Sequence, residues 1–122
     1  MAMPGVARTE AAGRWHAPRL VASDPRSAGP PLPEGERDTL AGLMRSVVTS
    51  GTGQALAGVA GDPAGKSGTA EFGGGDPPRT HAWFIAFRGD LAVAVLVENG
   101  RSGGAIAAPL AAAFFSALGT SV

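Results

Sequence analysis

The sequence predicts an α+β fold in which a helix, three antiparallel strands and a second helix follow one another. Three observations carry this expectation. Across residues 36–49 the apolar side chains Leu40, Leu43, Met44, Val47 and Val48 recur at the i, i+3, i+4, i+7, i+8 spacing of one helical face. Residues 80–87 (THAWFIAF) and 91–98 (LAVAVLVE) have high strand propensity, and only Arg88-Gly89-Asp90 separates them, which is hairpin length. Residues 104–118 are apolar nearly all round, with Phe114, Phe115 and Leu118 as the bulk of a helix suited to covering a sheet.

The elements follow in chain order. Residues 1–33 are rich in Gly, Pro, Ala and Arg and are expected to be irregular; residues 34–122 make up the folded unit. Within the first segment only residues 14–21 (RWHAPRLV) have extended character, because the residue before Pro18 is biased away from helix. Gly29-Pro30-Pro31-Leu32-Pro33 reads as a stiff linker. Glu34, Glu36 and Asp38 lie near the start of the first helix, where its dipole favours anions. Gly51 stands where a left-handed cap is wanted. Residues 53–65 read as loop with a short turn at 55–57. Residues 66–72 (KSGTAEF) are a short strand candidate, ended by Gly73-Gly74-Gly75-Asp76-Pro77-Pro78. Along the next two strands Trp83, Ile85, Phe87, Leu91, Val93, Val95 and Val97 are placed on one side, and Ala82, Ala86, Ala92 and Ala94 mostly on the other. Both faces are then apolar, and both should be covered.

Composition narrows the function. A chain of 122 residues is one small domain or part of a larger one. Ten basic and ten acidic residues cancel, so bulk charge offers nothing to nucleic acid. The absence of Cys excludes disulfides, thiol catalysis and zinc–thiolate sites, and no metal or cofactor is expected. Residues 1–13 lack a basic start followed by an apolar run, so no signal peptide is expected. The longest apolar stretch, residues 105–118, contains Pro109 and falls short of the roughly 20 residues of a membrane span.

Lys66 is the only lysine. Residues 60–67 (AGDPAGKS) match a phosphate loop if Ala60 replaces its first glycine. Such a loop must open a helix, however, and Ser67 leads instead into glycines and prolines. The competing reading is Lys66-Ser67-Gly68-Thr69 as a K-[ST]-G-T strand, which the surroundings favour: a Gly-rich turn, a hairpin and a final helix follow. His16 and His81 are the only imidazoles; His81, at a strand start, is expected to make a structural hydrogen bond. Trp15 and Trp83 read as core and Glu71 as a solvated strand residue.

With GRWHAPRLV and VVTSGTG upstream, and HAWFIAF, AVAVLVENG and SGGAIAAPLA downstream, the KSGT segment resembles the C-terminal part of the transpeptidase domain of a class B penicillin-binding protein. The likeness runs from about Arg14 to Leu118, and Met1-Ala2-Met3 resembles the helix just ahead of it, with Pro4 to Ala12 aberrant. The resemblance implies a fragment of the penicillin-binding/β-lactamase-like fold, a three-stranded antiparallel sheet with helices on its faces. It implies acyl transfer through a seryl ester on a peptidoglycan stem peptide or a β-lactam. Lys66 would supply positive charge beside the nucleophile and the substrate carboxylate. Ser67 and Thr69 would bind that carboxylate through their hydroxyls, and Gly68 would let substrate lie close to the strand. The Thr69 backbone N–H would be an oxyanion donor, a contribution of about 2.7–4 kcal/mol where measured.

Two family motifs are absent. S-x-x-K would require a Ser at position 63, where Pro63 stands, and S-x-N would require one at position 97, where Val97 stands, because Lys66 and Asn99 are unique. These residues alone are therefore expected to be inactive, a truncated member of the cell-wall cross-linking family. That family works outside the cytoplasmic membrane behind an anchor. Its central sheet also draws two strands from sequence ahead of the nucleophile. The strand at 91–98 should then lose a neighbour and offer its edge to another chain, or to a second copy.

Overall fold

The computed structural model describes residues 13–119. The segments at 1–3 and 4–12 that resemble, and then depart from, the family lie outside the described residues. In chain order the elements are β1 (Arg14–His16), β2 (Ala28–Pro31), α1 (Glu36–Ser50), a 3-10 turn (Gln54–Leu56), β3 (Ala64–Phe72), β4 (Arg79–Arg88), β5 (Leu91–Val97), a π-helical turn (Gly103–Ala107) and α2 (Ala108–Leu118). The fold class is the expected α+β: β3-β4-β5 form one antiparallel sheet, and β1-β2 a separate two-stranded one.

The N-terminal segment is more regular than its composition suggests. Pro30 and Pro31, read as a linker, belong to β2, which pairs with β1 across a bulge. Proline's fixed φ suits an extended strand, and its missing N–H is harmless on an edge. Donors on either side close the hairpin: Ala17 N–H to the Ser27 carbonyl at 2.9 Å, and Leu32 N–H to the Gly13 carbonyl at 2.8 Å.

Helix α1 occupies the expected residues, but its apolar stripe is wider than its buried one. Met44 and Val48 are buried, whereas Leu40 and Leu43 are 40% and 61% exposed. Gly51 is not left-handed: its φ is −115°. It is small for lack of space, since a Cβ there would stand 3.0 Å from the Val47 carbonyl oxygen.

The register of the sheet corrects the assignment of its faces. Phe84 lies opposite Val95, Ala82 opposite Val97 and Ala86 opposite Val93. Trp83, Ile85 and Phe87 therefore share a face with Leu96, Ala94 and Ala92, not with the valines. The β4–β5 turn keeps only Gly89 and Asp90, and the shift follows from that loop length. Phe84, Phe115, Leu56 and Val48 are fully buried on the valine side, with Ala107, Ala108 and Ala111 beneath the turn and α2. Each of the large side chains contributes about 2 kcal/mol by leaving water. The other face is covered at one end only, where Met44 packs with Ala64, Ile85 and Phe87. Trp83 is half-buried there and Leu96 exposed.

One buried charge fastens α2 to the sheet. Arg88, 4% exposed, donates to the Phe115, Ala60 and Gly119 carbonyls and lies 5.0 Å over the Phe115 ring. Two of those carbonyls are at the C-terminal end of α2, where the helix dipole favours a cation.

Candidate functional site

β3 begins at Ala64, two residues before the strand read from sequence. Ala64 and Gly65 are buried beside α1, but from Lys66 onward the strand turns to solvent. It is an outer strand of the sheet, so one side of residues 66–71 has no strand neighbour among the described residues. Lys66 sits third in a nine-residue strand and no helix follows it. That geometry removes the phosphate-loop reading.

Side chains alternate along β3. Lys66 and Gly68 stand opposite Ile85 and Trp83, on the partly open face. Ser67 and Thr69 stand opposite Phe84 and Ala82, toward the π-helical turn. The Lys66 ammonium is exposed, donates to the Ser67 carbonyl and has no carboxylate within ion-pair distance among the described residues. A Cβ added to Gly68 would meet only the Trp83 Cβ at 3.5 Å, an ordinary contact. Internal packing therefore leaves room for a side chain at position 68.

The two hydroxyls are already engaged. Ser67 Oγ lies 2.6 Å from Thr52 Oγ1, and Thr69 Oγ1 accepts from the Gly103 N–H at 3.4 Å. Gly103 rests directly on the β3–β4 ladder: a Cβ there would be 2.2 Å from the Trp83 carbonyl oxygen and 2.6 Å from that of Gly68. No other residue fits. Ser102 caps the turn by accepting from the Ala105 N–H at 3.2 Å. VVTSGTG and SGGA are visible in the sequence, but the nearness of Thr52 and Gly103 to KSGT is purely tertiary and gives them no signal there.

The far end of β3 is polar and aromatic. Phe72 stacks on His81 with centroids 3.9 Å apart, and Arg79 lies 4.7 Å over the Phe72 ring. His81 Nδ1 accepts from the Asn99 N–H at 3.3 Å, the structural bond expected of it. Trp15, read as core, is 47% exposed, and Glu71 is solvated. Among the described residues no group of three His, Asp or Glu gathers as a metal site, and no helix is long and apolar enough to cross a membrane.

The profile of the penicillin-binding protein transpeptidase domain matches residues 5–116. The chain belongs to that family. The α+β core described above is accordingly a fragment of the transpeptidase fold. No curated protein matches the chain. The matched residues include the outer strand β3, which carries KSGT.

Proposed function

We propose that these residues supply the K-S-G-T wall of a penicillin-binding, peptidoglycan-cross-linking acyl-transferase site, and that the nucleophile comes from sequence outside them. One observation carries the reading: in a chain of the transpeptidase family, KSGT occupies a strand that is outermost and solvent-facing among the described residues, and none of them pairs a carboxylate with its lysine. Lys66 is the cation for a substrate carboxylate, with Ser67 and Thr69 as its hydrogen-bonding hydroxyls and Gly68 as the open stretch of strand. The Thr69 backbone N–H is the oxyanion donor. Neither S-x-x-K nor S-x-N occurs in the 122 residues, so the chain by itself forms no acyl-enzyme. Intact-mass measurement after incubation with excess penicillin tests this. Unchanged mass is expected; a stoichiometric increase on any serine would overturn it.

The uncharged edge of β5 favours a second, compatible role. Residues 91–97 carry no charge and no Pro, and β5 has a strand neighbour on one side only among the described residues. Such an edge takes up a further strand, from another chain or from a second copy. Sedimentation velocity at micromolar concentration is expected to show dimers or larger species; a sharp monomer peak would remove this role.

A further inference from the structure

We infer that Thr52, from the loop after α1, is a positioning residue of the carboxylate-binding wall; the inference rests on the transpeptidase reading above. Ser67 Oγ and Thr52 Oγ1 are 2.6 Å apart, so one hydroxyl donates to the other. Whichever accepts keeps its own hydrogen, and a hydroxyl that accepts one bond while donating another is polarised in the process. The pair is therefore one outward donor rather than two wandering rotors. Thr69 is set in the same way: its oxygen accepts from the Gly103 N–H, which leaves its hydrogen free.

With Thr52 donating to Ser67, the outward donors are the Ser67 and Thr69 hydroxyls, on the same face of β3, two residues apart, roughly 7 Å along the strand. That separation admits one carboxylate between them. Thr52 is exposed and Ser67 half-buried, so the pair is reachable from solvent. Its position is also constructed. A Cβ on Gly104 would stand 2.7 Å from the Thr52 carbonyl oxygen and 2.9 Å from the Thr52 Cβ, so the turn that fixes Thr69 fixes Thr52 as well. The sequence Ser102-Gly103-Gly104 thus holds both donors from beneath. The near-isosteric Thr52→Val removes the hydroxyl while filling the same space, and Thr52→Ser retains it.

The test is titration of the whole chain with N-acetyl-D-alanyl-D-alanine, followed by amide chemical shifts at Ser67, Gly68, Thr69 and Gly103. Saturable shifts are expected, about fivefold weaker in Thr52→Val, restored in Thr52→Ser, and lost in Lys66→Ala. If Thr52→Val binds as tightly as the parent while Lys66→Ala does not, the positioning role is wrong and the transpeptidase reading survives. If no saturable shift occurs even in the parent, both fall together. Unchanged amide spectra of free Thr52→Val, away from the loop, confirm that the fold is intact.

Discussion

The two outer strands of the main sheet are built from opposite materials. β3 presents Lys66, Ser67, Thr69 and Glu71 among glycine and alanine; Lys66 and residues 69–71 are exposed, and Ser67 and Gly68 are half-buried. β5 is Leu-Ala-Val-Ala-Val-Leu-Val, half-buried on both faces. Both have one strand partner among the described residues. Polar hydroxyls, a cation and an open glycine suit an edge that meets a soluble ligand. Uncharged β-branched residues suit an edge that is covered by more sheet. The difference teaches that an edge is informative only through its side chains: with equal backbone valence, one edge fits the proposed ligand site and the other the proposed contact surface.

The strongest way to break this comparison is Gly103→Ala. The new methyl collides with the Trp83 and Gly68 carbonyls, so the turn must leave β3. A loss of at least about 3 kcal/mol is expected in chemical denaturation, the upper end of overpacking costs. Arg88→Met comes next. It removes three charge-assisted bonds that tie α2 to the sheet and should cost about 2 kcal/mol in the same measurement.

Leu96→Lys sharpens the β5 side. Leu96 is the exposed member of the strand, whereas Val95 packs on the core, so position 96 takes a charge without disturbing the interior. Stability should change by less than about 0.5 kcal/mol, while sedimentation shifts toward monomer. Lys66→Ala is the smallest perturbation of the fold. Its side chain is exposed and its ammonium donates to a neighbouring backbone carbonyl, so unfolding should be unchanged within about 0.5 kcal/mol. A large destabilisation would make Lys66 structural and end its role as a ligand-facing cation.

Much of this was legible in sequence where the signal was local. The helical spacing of Met44 and Val48, the hairpin around Gly89, and KSGT on a strand each depend on neighbours in the chain. What stayed hidden was tertiary. Register decided which face Trp83 joins, and a count of alternating residues does not reveal register when both faces are apolar. Prolines 30 and 31 concealed a strand whose partner lies a dozen residues earlier. Thr52 and Gly103 reach Ser67 and Thr69 across 15 and 34 residues, and nothing in their own surroundings announces it. Arg88 looked like a hairpin residue; its burial depends on the end of α2 folding back over it.

The central claim is that the β3 edge, and not another surface, meets the ligand, without covalent chemistry in these residues. Amide shift mapping with benzylpenicillin on the full chain tests it most directly. The account predicts reversible shifts clustered on Lys66, Ser67, Gly68 and Thr69, with Thr52 and Gly103 beside them and an unchanged mass after dialysis. Shifts centred on β5 or on the β1–β2 hairpin, or a covalent adduct, would contradict it.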